Sequence, residues 1–142
     1  MAEINFFTEQ IDFELEDKEK VVEWITQTFE AYDKAVGEIN YIFCSDEYLY
    51  DINVEYLNHD TYTDIITFDN SEPDSNKVDS DIFVSIDRIK DNANKFETSF
   101  KDELHRVIIH GVLHLCGLKD KTEEDALEMR TSEQKHLALR GF

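Results

Sequence analysis

The spacing of apolar residues changes period several times along the chain, and each change marks an element. Ile4-Asn5-Phe6-Phe7 and Ile11-Asp12-Phe13-Glu14-Leu15 predict two short strands, the second in strict alternation. After Asp17, the residues Val21, Val22, Trp24, Ile25, Phe29 and Tyr32 recur at steps of three and four, which predicts an amphipathic helix closed by Gly37. Alternation returns over residues 38–44, with Ile39, Tyr41 and Phe43 on one face. Ser45 is a suitable N-cap for a second helix bearing Tyr48, Leu49, Ile52 and Tyr56. Residues 63–68 (Thr-Asp-Ile-Ile-Thr-Phe) and 82–86 (Ile-Phe-Val-Ser-Ile) predict strands, separated by a loop over 69–80 that holds the only proline. Asp87 is placed to cap a short helix with Ile89 and Ala93, and Thr98 or Ser99 a longer one through Leu115 that Gly117 ends. Thr122-Glu123-Glu124-Asp125 resembles a capping box and opens a last helix with Leu127, Met129, Leu137 and Leu139. Strands and helices alternate irregularly, and some strands are adjacent in sequence. The expected fold class is therefore α+β, a mixed sheet of about four strands packed with helices.

Composition narrows this picture. A chain of 142 residues with 41% hydrophobic residues, four glycines and one proline is expected to form a single domain over 1–142. No apolar run is long enough to span a bilayer, no basic and apolar leader is visible, and two cysteines cannot make a disulfide framework. The expectation is a cytoplasmic protein with no membrane partner. The net charge of −19 argues against a general nucleic-acid binder, and no DNA partner is expected. The charge is uneven: residues 1–84 hold 22 acidic against four basic side chains, whereas residues 85–142 hold 11 against ten. A polyanion is expected to approach the C-terminal part, and a basic protein the N-terminal part.

The chemistry concentrates in His110-Gly111-Val112-Leu113-His114-Leu115-Cys116-Gly117-Leu118-Lys119-Asp120. Two histidines four apart on a helix present their rings on one face, one turn apart. Gly117 breaks the helix, so the chain turns back and Asp120 is placed to reach the same point. Two imidazoles and a carboxylate, with water in the fourth place, are the ligand set of a catalytic zinc centre rather than a closed structural one, although nickel and other divalent ions suit the same donors. The position after the first histidine, where a zinc protease of the His-Glu type needs its general base, is Gly111, which counts against peptide hydrolysis. A glycine inside a helix costs about 1 kcal/mol relative to alanine, so a close approach at Gly111 is expected.

This segment resembles the YbeY family of bacterial endoribonucleases, whose hallmark is H-G-x-L-H-L-x-G-x-D-H; the match falls on His110, Gly111, Leu113, His114, Leu115 and Gly117. Asn53, Glu55 and Tyr56 are similar to the family's N-x-E-Y stretch, residues 63–68 to its T-D-V-L-S-F strand, residues 80–85 to its G-D-I-x-I-S strand, and Glu124, Met129 and Glu133 to its acidic tail. The resemblance implies a metal-dependent, single-strand-specific endoribonuclease acting in ribosomal RNA processing, with ribosomal proteins or the small ribosomal subunit as partners. It implies one zinc ion per chain on His110, His114 and Asp120, which would be both ligands and catalytic residues. Two departures stand out. The family's third histidine ligand is Asp120 here, with Lys119 before it, and the arginine that usually follows N-x-E-Y is Leu57. The alternative they raise is a non-catalytic ribosome-associated factor with a structural metal.

The remaining chemistry-bearing residues are read more plainly. His105 points away from the ligand face and is expected to be at the surface or partly buried, and His136 and His59 at the surface. Cys44 and Cys116 are expected in the core, with Trp24, Phe29 and Tyr32 as packing aromatics. Arg106, Lys119 and Lys121 flank the motif as candidate phosphate contacts.

Overall fold

The computed structural model describes residues 2–142. Its elements run β1 (Glu3–Glu9), α1 (Lys18–Ala31), β2 (Ala35–Cys44), α2 (Asp46–Leu57), β3 (Ile65–Asp69), β4 (Lys77–Ser85), α3 (Ile86–Lys95), α4 (Phe100–Leu115) and α5 (Glu123–Leu139). One four-stranded sheet has the order β1-β2-β4-β3. β1 and β4 both run parallel to β2, and β3 pairs antiparallel with β4, so the sheet is mixed and the fold is α+β as expected.

Strand alternation sorts the two faces of the sheet. Ile39, Tyr41 and Phe43 of β2 and Val78, Ile82 and Val84 of β4 join Trp24, Ile25 and Phe29 of α1 and Leu104, Ile108 and Val112 of α4 in the main core. A smaller cluster forms under α2 from Cys44, Leu49, Ile52 and Ile66, with Tyr48, Phe68 and Phe83 against it. Helix α4 is pinned to the sheet by the Tyr41 hydroxyl, which donates to the Ile108 carbonyl at 3.1 Å. Its close seating explains Gly111: a Cβ there would lie 3.0 Å from Ile65 Cδ1 and 3.4 Å from Thr67 Oγ1. Side chains of β3 therefore fill the space that the missing Cβ leaves.

Four helix starts obey local capping chemistry. Ser45, Ser85, Ser99 and Thr122 accept from the backbone N–H of Tyr48, Arg88, Asp102 and Asp125 respectively. Asp87 is thus inside α3 rather than its cap, and its carboxylate instead accepts from Asp46 N at 2.9 Å. Gly37 does not end α1, which stops at Ala31; it lies within β2. A Cβ there would meet Asp79 Oδ1, the atom that accepts from Glu38 N. The segment 11–15 makes no ladder although its burial alternates, because Ile11, Phe13 and Leu15 are anchored in the core while no strand lies beside them. In α5, Leu127 and Leu139 are exposed and Met129 is buried. His105 and His136, expected nearer the surface, are each only 3% exposed: the side of α4 away from His110 and His114 sets His105 against Trp24 and Phe142, and α5 sets His136 against Tyr32. Among the described residues, no helix is long and apolar enough to cross a membrane.

Candidate metal centre

The last turn of α4 and the loop after it build the centre. At the C-terminus of α4, Gly117 takes φ +104°, its N–H donates to the His114 carbonyl and the Leu118 N–H to the Leu113 carbonyl, each at 3.0 Å. This is the paired 6→1 and 5→2 pattern of a Schellman stop. It reverses the chain so that Asp120 comes back over the two histidines: Asp120 Oδ2 lies 3.6 Å from His110 Nε2 and 3.4 Å from His114 Nε2. The imidazoles stand nearly perpendicular, 86° between planes and 4.5 Å between centroids. One donor atom from each of the three residues falls within 4.8 Å of the others, and the group could hold a metal ion.

The hydrogen bonds behind the rings fix what the front presents. His114 Nδ1 donates to the Leu118 carbonyl at 3.0 Å, and His110 Nδ1 to Glu133 Oε2 at 2.5 Å. A carbonyl can only accept, so the Nδ1 of His114 carries a proton, and in the neutral ring that leaves Nε2 as the one with a lone pair; the carboxylate behind His110 selects the same tautomer for that ring. Two imidazole lone pairs then face a carboxylate oxygen across less than 4 Å. Three acceptors so placed repel one another, and a cation among them removes the conflict. The donor set fits a divalent ion of zinc type, and the carbonyl and carboxylate behind the rings are the supports that metal-binding histidines ordinarily use.

A cleft of about 590 Å³ opens in front of the three residues, walled by Asn53 and Leu57 of α2, by His59 after it, by Tyr62, Thr63 and Asp64 before β3, and by Thr67 of β3. Among the described residues no lysine or arginine lines it. Burial pushes the Asp64 carboxyl above its usual range, with Arg106 pulling the other way. Tyr62 stacks on Tyr50 at 4.6 Å and donates to Glu47 Oε1 at 2.7 Å.

Three expectations change here. Arg106 is no free phosphate contact, because its guanidinium is held by Glu103, Glu133 and Asp64. Lys119 and Lys121 are exposed but stand outside the cleft lining, whereas His59 and Leu57 are part of it. Cys116 is half-buried, its thiol pushed up to about 12 by burial, and it is not among the converging donors. Cys44 is fully buried as expected. Glu133 and Asp64 are support of the site that motif spacing alone did not reveal, whereas Glu103, three residues before Arg106 on α4, lies within the i,i+3 reach of the helix period. Glu133 follows His110 by 23 residues on another helix, and Asp64 precedes it by 46, so no local period links them.

The chain is similar to known proteins over nearly its whole length. The family model described as Endoribonuclease YbeY matches residues 3–140. A protein of that name from Christiangramia forsetii is 51% identical over 138 residues, which cover 97% of this chain and 94% of its own. Another from Porphyromonas gingivalis strain W83 is 49% identical over 139 residues, covering 98% and 91%. Among solved structures, the solution structure of TM1509 from Thermotoga maritima aligns over 95% of this chain and 87% of its own, with a TM-score of 0.65 at 24% identity, which shows a shared fold. With the match running through nearly every element, this chain belongs to the YbeY endoribonuclease family.

Proposed function

We propose that residues 1–142 form one metallohydrolase domain, a single-strand-specific endoribonuclease acting in ribosomal RNA processing and ribosome maturation in the cytoplasm, with one zinc ion on His110, His114 and Asp120. The observation that carries this reading is the convergence of two Nε2 lone pairs and a carboxylate at the floor of an open cleft. Bound there with one side open, zinc would supply Lewis acidity and lower the pKa of the water in its remaining place. The chain's residues do the rest. Glu133 and the Leu118 carbonyl hold the rings in one tautomer and orientation. The cleft walls offer Thr63, Thr67 and His59 as polar contacts to a nucleotide, and among the described residues no lysine or arginine on those walls competes with the centre for the phosphate. A scissile phosphate is thus drawn to the one place where positive charge would reside.

The test is metal analysis joined to a cleavage assay on short single-stranded RNA. The expected result is near-stoichiometric zinc in the purified chain and cleavage that His114→Ala abolishes; substoichiometric zinc in carefully prepared protein, with cleavage unchanged by that substitution, would sink the proposal. Leu57 on the cleft wall favours a second reading, a ribosome-associated factor whose metal is structural. It requires that a chelator lower the melting temperature while no RNA is cut at any metal load. The acidic excess of residues 1–84 also suits a basic ribosomal protein. Charge reversal of exposed acidic residues there is expected to weaken such binding and leave cleavage of a short RNA unchanged; an unaltered partner affinity would refute this.

A further inference from the structure

Behind His110 lies a charged cluster larger than one hydrogen bond requires. Arg106 sits one helical turn before His110 on α4, and its guanidinium faces three carboxylates from three elements. Nε and Nη2 fork onto Glu103 at 2.9 and 2.6 Å, Nη1 reaches Glu133 Oε1 at 3.4 Å, and Nη2 lies 3.6 Å from Asp64 Oδ2 just before β3. Glu103 and Glu133 are almost wholly buried, at 3% and 5% exposure. Glu133 spends its two oxygens in opposite directions, Oε1 toward Arg106 and Oε2 toward His110 Nδ1. Three carboxylates around one guanidinium leave a formal excess of two negative charges beside a ligand ring. Buried charge of one sign is costly unless compensated. A divalent ion on the far side of His110 would compensate that excess.

We propose that Arg106 is a positioning residue for the metal centre, acting through Glu133: it fixes that carboxylate behind His110 and, with Glu103 and Asp64, builds a negatively charged support that strengthens the binding of a divalent cation in front of it. This inference rests on the metal-centre reading and adds a residue that motif spacing assigns to another task. Arg106 stands where it would be taken for a phosphate contact, yet all three of its nitrogens are occupied by carboxylates. The same guanidinium ties α5, which brings Glu133, to the chain entering β3, which brings Asp64 to the cleft wall. Loosening it releases both the back of the ligand ring and one side of the cleft.

The experiment measures zinc affinity by competition with a chromophoric chelator for the wild type, Arg106→Met, Arg106→Lys, Glu133→Gln and the Arg106→Met/Glu133→Gln double variant, with circular dichroism establishing that each is folded. Outer-shell changes of this kind cost about 10–100-fold in metal affinity. Arg106→Met is expected to weaken zinc binding at least tenfold and Glu133→Gln comparably. Arg106→Lys, which keeps the charge but not the fork, should fall between Arg106→Met and the wild type. Because the arginine acts through the glutamate, the double variant should bind zinc no more weakly than the worse single variant within about threefold. A purely structural role lowers the melting temperature and leaves zinc affinity within twofold of wild type in every folded Arg106 variant; that result overturns the inference while the centre stands. If Arg106→Met does not fold, the Arg106→Lys arm decides on the same criterion. A double variant that loses the product of the two single effects also overturns it, by showing that the residues act independently. A wild-type chain that binds no zinc overturns the reading of the centre and this inference with it.

Discussion

His110 and His114 line a cleft, whereas His105 and His136 pack around Trp24, and helix α4 carries members of both pairs. In the first pair each Nδ1 is committed to a protein acceptor and each Nε2 is left facing a carboxylate. In the second pair the rings serve as aromatic surface. His105 lies tilted against Trp24 and edge-on to Phe142, at 5.7 and 5.2 Å, and its Nδ1 accepts from Arg140. His136 lies 5.7 Å from Tyr32, and its backbone carbonyl, rather than its ring, accepts from Trp24 Nε1 at 2.8 Å. Its own Nε2 is buried with no partner among the described residues. The contrast teaches that convergence of a ring nitrogen on a shared point, and not the presence of an imidazole on the helix, marks a candidate ligand apart from a packing residue.

The largest effect that tests this contrast is on acid stability. Burial, helped by Arg140 and Lys101, lowers the His105 pKa to about 4 from an ordinary value near 6.5. The unfolded chain therefore takes up a proton that the folded chain refuses, so the stability contributed by this residue is complete above about pH 6.5 and is lost as pH falls toward 4. His105→Gln, which keeps an acceptor for Arg140 and cannot titrate, should shrink the fall in unfolding free energy between pH 7 and pH 4.5 by about 2–3 kcal/mol. Urea melts of metal-free protein at the two pH values measure it. Zinc affinity of the variant should stay within twofold of wild type, and a tenfold loss would erase the distinction between the pairs.

A smaller effect is expected at His136, whose pKa burial also lowers. His136→Phe preserves the backbone acceptor of Trp24 and removes the orphaned ring nitrogen. It should stabilise the fold by about 1 kcal/mol, and by more at pH 5 than at pH 7.5. Equal destabilisation at both pH values would mean that the nitrogen is satisfied by a buried water and that this ring is a polar anchor after all.

The same contrast explains what could be read in advance. The trio at 110, 114 and 120 was legible because helix period and a glycine stop turn sequence distance into spatial distance over a single turn and its reversal. The helix wheel likewise turned His105 away from the ligands, but it could not say that the far side meets α1 and the C-terminal residues instead of water. Gly37 shows the limit more sharply. In one dimension a glycine that ends a helix and a glycine that admits Asp79 across a strand pair look alike. The alternation of residues 11–15 was genuine, as their burial shows, yet a ladder needs a neighbour and the sheet ends at β1. Arg106 was misassigned for a related reason: its pairing with Glu103 one turn earlier was within reach of the helix period, but the further acids around it arrive from positions 64 and 133.

The stop at Gly117 does three jobs along one short stretch of chain. The bonds that terminate α4 place Leu118 where its carbonyl steadies the His114 ring, and two residues later the chain delivers Asp120. Helix ending, ring clamp and third donor are thus metered along one short tether, a ruler of six residues from His114 to Asp120. Lengthening that tether by a single residue would spare every strand and helix yet carry the carboxylate out of register with the rings, so apart from Gly117 and Asp120 this loop is expected to tolerate changes of side chain far better than changes of length.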